Sequence, residues 1–115
     1  MSQLHQDREY RAATIGRLND QLRLAPGPGW MMTSGLQAQG VAFVAQAIAA
    51  VGTFKNFPES DDPYGERDFG AFELAGERLF WKIDYYDRAL ENASPDPADE
   101  AVTRRILTLM LAEEY

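Results

Sequence analysis

Apolar residues recur at helical spacing in two segments of the N-terminal half. In residues 4–24, leucine and isoleucine lie three or four positions apart among arginine, glutamine and asparagine, which predicts an amphipathic helix. Residues 26–29, Pro-Gly-Pro-Gly, cannot continue that helix. In residues 41–51, valine and isoleucine recur at the same intervals with alanines between them. We therefore predict a second helix there, mostly buried.

The clearest strand signal comes from two aromatic-rich runs, residues 69–74 and 78–86, joined by Ala75-Gly76-Glu77. This form predicts an antiparallel hairpin whose turn is centred on either Ala75-Gly76 or Gly76-Glu77. Side chains alternate with a period of two, so both options give the same two faces. The apolar face carries Phe72, Leu74, Leu79, Trp81, Ile83 and Tyr85, and the half-polar face carries Phe69, Glu73, Phe80, Lys82, Asp84 and Tyr86.

Three weaker signals complete the pattern. Residues 30–34 carry tryptophan and methionine between two glycines, which favours a strand. Residues 55–68 contain two prolines, a glycine and five acids, which indicates an exposed acidic loop. Asp96, Pro97 and Asp99 are typical of a helix start, so we predict a last helix that runs to about residue 114.

These elements predict an α+β fold in the order α-β-α-β-β-α. Its small antiparallel sheet is centred on the 69–86 hairpin, with the helices packed on one face. The length of 115 residues suits one domain, residues 1–115, with residues 1–7 frayed. Hydrophobic residues make up 45% of the chain, which is enough for a core and excludes disorder of the whole chain.

The charge is concentrated in the second half of the chain. Residues 1–50 hold four bases and three acids, whereas residues 51–115 hold seven bases and fifteen acids, a net charge of -8. This excess of acid argues against direct binding to nucleic acid or to an anionic membrane. The absence of cysteine excludes disulfides and thiolate metal sites, and the N-terminal residues lack the apolar region of a secretory signal. We therefore expect a cytoplasmic protein.

The residues give little support to catalysis, to a metal or to a cofactor. The acidic loop does not match a calcium loop, because Pro63 and Tyr64 stand where oxygen ligands should alternate. His5 is the one histidine and has no nucleophile near it in sequence. Residues 82–88 form the densest polar cluster, in which Lys82 and Asp84 share a face. A structural or partner-facing role is favoured there over catalysis, so no catalytic, metal or cofactor residue is predicted.

The residues that we predict to bind a partner come from the acidic loop and from the end of the hairpin. Aromatic anchors rimmed by charge are common in protein interfaces. The predicted partner-binding residues are Asp61, Asp62, Tyr64, Glu66, Asp68, Lys82, Asp84, Tyr86 and Asp87.

Four stretches carry a resemblance to a known family: residues 61–73, 80–87, 94–99 and 107–115. Together they resemble an uncharacterised family of small bacterial proteins, mostly alphaproteobacterial, known as domain of unknown function 3768. The resemblance covers about residues 8–115. It implies no catalytic residue, but it does imply a setting on plasmids and other mobile elements, sometimes near antirestriction genes.

Three functional hypotheses follow. The first is an acidic protein-binding module that occupies a basic surface on another protein, toward which its charge would steer it. With the mobile-element setting that the resemblance implies, the partner would be a nucleic-acid-binding defence enzyme, and the protein an inhibitor of antirestriction or anti-CRISPR type. The alternative is a small enzyme or ligand binder that uses residues 82–88. The third is a homo-oligomeric accessory protein in which the half-polar hairpin face or a strand edge pairs with its copy.

Overall fold

A four-stranded mixed sheet with helices on one face is the framework of the protein. It is seen in a computed structural model that describes residues 3–115, apart from the side chains of Leu4 and His5. In chain order the elements are α1 (Gln3–Arg23), β1 (Trp30–Met32), α2 (Ser34–Gln37), α3 (Val41–Gly52), β2 (Phe69–Leu74), β3 (Glu77–Tyr86) and β4 (Arg104–Leu111), with 3-10 turns at Glu100–Val102 and Ala112–Glu114. The strand order is β1-β4-β3-β2. The predicted α+β class is confirmed.

The first helix and the first strand agree with the sequence pattern. Helix α1 begins at Gln3 and buries Ile15 and Leu18. Strand β1 pairs with β4 in parallel, so the sheet is mixed, whereas we predicted a wholly antiparallel one. The fraying of residues 1–7 stays a prediction, because Met1 and Ser2 lie outside the described residues. So does the prediction of a surface position for His5, whose side chain is not described.

The hairpin and its two faces are confirmed, and the structure selects one of the two registers that the sequence leaves open. Strand β2 is antiparallel to β3, and Phe72 lies opposite Leu79. The turn is centred on Ala75-Gly76, whose φ angles are 51° and 83°. Two successive positive φ angles define a type I′ turn, the form that matches the twist of the flanking strands.

The apolar face of the hairpin meets the helices in one core. Trp81, Leu79 and Ile83 are buried there with residues of α2, α3 and β4. The helix residues in this core include Leu36 and Val51. The helices therefore cover one side of the sheet, as predicted, and no α-helix among the described residues covers the half-polar side of the hairpin.

The predicted last helix is wrong, because residues 104–111 form β4, one of the two central strands of the sheet. Strand β4 pairs with β3 on one side and with β1 on the other, and Leu107, Leu109 and Leu111 are buried. A run of consecutive apolar residues fits either a buried helix or a strand with two neighbours, and local spacing does not separate them. The residues that predicted the start of this helix, Asp96, Pro97 and Asp99, lead only into a 3-10 turn. In that turn the Asp99 carboxylate accepts the Ala101 N–H at 2.9 Å.

Helix α3 is confirmed, but its predicted burial is wrong. Only Ala47 and Val51 are fully buried, and the Val41 side chain is 89% exposed. The helix packs at the margin of the sheet with one stripe of its surface. Its other sides stay accessible although they carry valine and alanine, because a sheet of four strands offers little width to cover them.

A buried arginine joins the helices to the sheet. Arg23, at the end of α1, is 7% exposed, and its Nη1 donates to the carbonyl oxygens of Val51 and Phe54 at 2.8 and 2.9 Å. Its guanidinium lies over the rings of Phe57 and Trp81, 5.4 and 5.3 Å from their centroids. Stacking and fixed donor geometry suit arginine and not lysine.

We expect Arg23→Lys to lower the free energy of unfolding by about 1–3 kcal/mol, because an ammonium neither stacks on the rings nor matches the carbonyl geometry. Denaturant unfolding monitored by tryptophan fluorescence measures the change. Arg17→Lys, at an exposed position of the same helix, is the matched control and should shift the midpoint little. Equal effects of the two variants would contradict the role given to Arg23.

The turn gives a prediction of opposite sign. Ala75 adopts a left-handed conformation that costs alanine about 1 kcal/mol and asparagine less. We expect Ala75→Asn to raise the free energy of unfolding and Ala75→Val, which is β-branched, to lower it. Thermal unfolding by circular dichroism checks the order Asn, Ala, Val, and any other order would contradict the turn geometry.

Candidate functional site

The acidic loop, residues 55–68, is tied to helix α1 by one arginine. The Arg67 Nε donates to the two carboxylate oxygens of Asp20 at 3.0 and 3.1 Å. The Arg67 backbone N–H donates to Oδ1 of Asp62 at 3.1 Å, and Arg67 has a φ of 55°. A non-glycine residue at positive φ persists where its surroundings hold it. Here the ion pair and the Asp62 bond together fix the end of the loop.

A buried polar network joins the same loop to the sheet. The Tyr85 hydroxyl donates to Oε1 of Glu66 at 3.0 Å. Nδ2 of Asn19, which is fully buried, donates to the Tyr85 hydroxyl at 2.8 Å and to the Glu66 carbonyl at 3.0 Å. The Arg105 Nε donates to Oδ1 of Asn19 at 3.1 Å, and its guanidinium lies over the Tyr85 ring. Every member has partners, so the network fixes the loop to α1 and β3.

Asp68, at the end of the loop, is a weaker acid than an ordinary aspartate. Burial, followed by the negative charge of Glu66, raises the pKa of Asp68 to about 6; smaller contributions in the same direction come from Asp62 and Asp84. Asp84 belongs to the hairpin, so a charge of β3 also contributes to the raised pKa of Asp68. Asp68 therefore changes its charge close to neutral pH.

The uncovered side of the sheet, opposite the helices, forms a second surface. We name it the open sheet face. It carries Met31 of β1, Phe69, Ala71 and Glu73 of β2, Arg78, Phe80, Lys82, Asp84 and Tyr86 of β3, and Arg104, Ile106, Thr108 and Met110 of β4. Lys82 and Asp84 form an ion pair on it.

Three aromatic rings cluster on the open sheet face. Phe69 and Phe80 lie 5.2 Å apart between centroids, and Tyr115 packs edge-on against Phe80 at 5.6 Å. Glu114 holds the C-terminal turn in place, since its carboxylate accepts the N–H groups of Gly35 and Leu111, each at 3.0 Å. Tyr115 is nevertheless 75% exposed. The cluster gives this face an aromatic anchor of the kind found in protein interfaces.

The nine predicted partner-binding residues separate into three groups. Tyr64, which is 78% exposed, and Asp61 lie on the outer part of the acidic loop. Lys82, Asp84 and Tyr86 lie on the open sheet face. Four others make contacts within the chain: Asp62 with Arg67, Glu66 with Tyr85, Asp68 through its carbonyl with the Ile83 N–H, and Asp87 with the N–H groups of residues 91 and 92.

Sequence reasoning missed the residues that position this site. Asn19, Arg23 and Arg105 are polar or charged, and a sequence gives such residues an exposed position by default. The available signal was the helical spacing, because Asn19 and Arg23 lie on the same side of α1 as Ile15. Tyr115 was not among the predicted partner-binding residues, because no sequence signal assigned it a position in the fold.

Of three clefts in the described part of the chain, one includes Arg88, the last residue of the 82–88 cluster, in its wall, and the other two do not touch that cluster. One of about 420 Å³ lies between α1 and the acidic loop and includes Arg8, Arg11, Tyr64 and Glu66 in its wall. Others of about 370 and 380 Å³ lie beside the C-terminal end of α1 and along α3. No group of three or more acids or histidines among the described residues is placed to hold a metal ion. No helix among them is long and apolar enough to cross a bilayer.

Comparison with known proteins gives one match. The model of a family described as "Protein of unknown function (DUF3768)" matches residues 32–114. Neither the curated proteins nor the solved structures contain a significant match to the chain. The matched region includes the acidic loop and the strands β2, β3 and β4. It does not include Met31, Tyr115 or helix α1, which supplies Asn19, Asp20 and Arg23.

The pKa of Asp68 predicts a pH dependence of stability. Its folded value of about 6 lies above the ordinary 3.8, so the folded state binds the proton more tightly than the unfolded state does. The contribution of Asp68 to stability therefore falls as the pH rises from about 4 to about 6 and is constant above that. We expect Asp68→Asn to remove this fall.

Urea unfolding at a series of pH values from 4 to 7 gives the free energy of unfolding of the wild type and of Asp68→Asn. The quantity of interest is the wild-type value minus the variant value at each pH. The difference should decrease with rising pH and leave the variant more stable at pH 7. Asp61→Asn, in the same loop, controls for the loss of one acid. A difference that stays flat, or rises, between pH 4 and pH 6 would contradict the raised pKa.

Proposed function

The chain belongs to the DUF3768 family of proteins of unknown function, and on that premise we propose that it is an acidic protein-binding module that occupies a basic surface on another protein. The observation that supports the proposal is that three arginine side chains bond within the fold. Arg23 is buried, Arg67 is bonded to Asp20, and Arg105 is bonded to Asn19. Because these three cations bond within the fold, they do not pair with Glu59 and Asp61 on the outer part of the acidic loop, in a chain whose net charge is -7.

The contact region that we propose is the outer part of the acidic loop with the adjoining open sheet face. Glu59, Asp61 and Tyr64 combine negative charge with an exposed ring. Strand β2 leads from the loop to the ring cluster of Phe69, Phe80 and Tyr115. Such a surface gives a charged partner fast, salt-dependent association, while the rings supply apolar contact area.

The partner class that we propose is a nucleic-acid-binding enzyme of a defence system, of restriction or CRISPR type, encountered in the cytoplasm. A groove built to hold a polyanion is basic, and an acidic protein of matching shape competes for it. This choice rests on the mobile-element setting implied by the family resemblance together with the acidic surface. Direct binding of the protein to nucleic acid is not part of the proposal.

The test is capture of the partner by the tagged full-length protein from a bacterial lysate, followed by binding measurements with the purified partner. We expect Glu59→Lys/Asp61→Lys to weaken binding about tenfold or more, and raised salt to weaken the wild-type complex steeply. Duplex DNA should displace the protein from a nucleic-acid groove. These three readouts distinguish an electrostatic competitor from an incidental contact.

The matched control is Glu91→Lys/Glu100→Lys, which makes the same change of charge at exposed positions outside the acidic loop and the open sheet face. It should retain most of the affinity. Equal losses in the two double variants would mean that net charge, and not the loop, governs binding. Wild-type affinity in the loop variant, or a complex indifferent to salt and DNA, would overturn the proposal.

A further inference from the structure

The outer side of strand β2 carries an unpaired row of backbone groups. The Ile83 N–H donates to the Asp68 carbonyl at 2.8 Å, one residue before β2 begins. Because N–H and C=O directions alternate along a strand, Gly70, Phe72 and Leu74 point toward β3, and Phe69, Ala71 and Glu73 point away. Within the described part of the chain, no hydrogen bond reaches the outward groups of those three residues. They offer three donors and three acceptors in line.

The two edges of the sheet are protected to different degrees. The edge strand β1 has three residues and follows a segment with two prolines. The edge strand β2 has six residues, contains neither proline nor lysine, and has one charge, at Glu73. Proteins blunt free edges with short length, proline or lysine. β2 lacks these features, so it is available to a further strand.

We propose that β2 pairs with β2 of a second copy of this chain, antiparallel, about a two-fold axis at Ala71. In this register Ala71 lies opposite the partner's Ala71, and Phe69 lies opposite the partner's Glu73. All three outward residues then face outward residues, and each pair exchanges two hydrogen bonds. A shift of two residues in either direction leaves one outward residue of each copy without a partner inside the strand.

The strand is complementary to itself in size under this two-fold axis. Phe72 comes to lie beside the partner's Gly70, and Gly70 beside the partner's Phe72. Two alanines meet at the centre, where larger side chains would crowd. Gly70 has to stay small in any case, because an added Cβ would meet the Trp81 indole of its own chain. The alternation of large and small residues favours the same strand as partner over an arbitrary one.

The charges also favour this arrangement. Glu73 lies next to Arg78 of its own β3 and opposite an aromatic residue of the other copy. The acidic loop leads into the first residue of β2, so antiparallel pairing places the two acidic loops at opposite ends of the interface. Two chains of charge -7 can therefore meet along this edge without placing the two loops opposite each other.

The dimer would contain one continuous sheet, made of the four strands of each copy. Since Ala71 of both copies points to the same side, both open sheet faces lie on one side of the sheet and both helical layers on the other. The inference does not rest on the acidic contact surface, and neither result decides the other.

The test uses an introduced cysteine, because the protein has none of its own. In a hydrogen-bonded antiparallel pair the Cα atoms lie about 5.5 Å apart, within the range that a disulfide spans. Ala71→Cys should therefore form a covalent dimer under mild oxidation or with a short thiol crosslinker. Glu73→Cys is the matched control, since its two copies are offset by four residues, about 14 Å. It should remain uncrosslinked.

A second pair of variants tests the uncrosslinked protein. Light scattering of the wild type over a series of concentrations should show the mass rising from 12.9 kDa toward twice that value. Ala71→Lys places two like charges at the axis and should abolish the rise. The matched control is Met31→Lys. Met31 lies on the same face of the sheet, in the opposite edge strand β1, and its side chain is 60% exposed. This variant should leave the rise in mass unchanged.

The two experiments together decide the proposal. A wild type that stays monomeric at every concentration would overturn it, and so would equal crosslinking at positions 71 and 73. A dimer that Ala71→Lys does not affect would place the interface elsewhere and would also overturn it. If Ala71→Lys fails to fold, the comparison of the two cysteine variants still gives the answer.

Discussion

The guanidinium of Arg23 is the contact on which the assembly of the fold depends. Arg23 is the last residue of helix α1. Its guanidinium donates to the carbonyl groups of Val51 and Phe54 and stacks against the indole of Trp81. One side chain thus joins the first helix, the end of α3 and the central hairpin. Its Nε–H and the indole N–H of Trp81 have no hydrogen-bond partner within the described residues. The contact is therefore held by stacking, by the two carbonyl bonds and by the bond from Nη2 to the Asp20 carboxylate.

The same helix uses its polar residues to fix the acidic loop. Asp20 accepts bonds from both Arg23 and Arg67, and Asn19 contacts the loop, Tyr85 and Arg105. Burial by itself would raise the pKa of Asp20, but the two guanidiniums that bond to it lower it. Arg23 and Arg67 bond to Asp20 within the fold. They are therefore not paired with the acids on the outer part of the acidic loop. The internal packing and the surface charge are thus two results of one arrangement.

How far the sequence could be interpreted depended on how local each signal was. The two faces of the hairpin were predicted because its alternation lies within eighteen neighbouring residues. The choice between its two possible turns, and so its register, came from the structure. Residues 104–111 were predicted as a helix and form a strand, because the capping signal at Asp96 to Asp99 was local and the two strand neighbours of β4 were not. Of the candidate site, Tyr64 and Lys82 were placed on surfaces as expected. The inward bonding of Glu66 depends on Tyr85, nineteen residues away, and could not be inferred from spacing.

The sequence by itself determined the helices α1 and α3, the two faces of the hairpin and the acidity of the second half. Each of these follows from periodicity, turn chemistry or charge within a short stretch of chain. Only the tertiary structure decided that residues 104–111 form a central strand, that α3 lies partly exposed, and that three arginines turn inward. The reason is physical: an apolar run takes the conformation that its neighbours can hydrogen-bond and cover, and a long cationic side chain points inward only where carbonyl groups, carboxylates and rings from distant segments meet it.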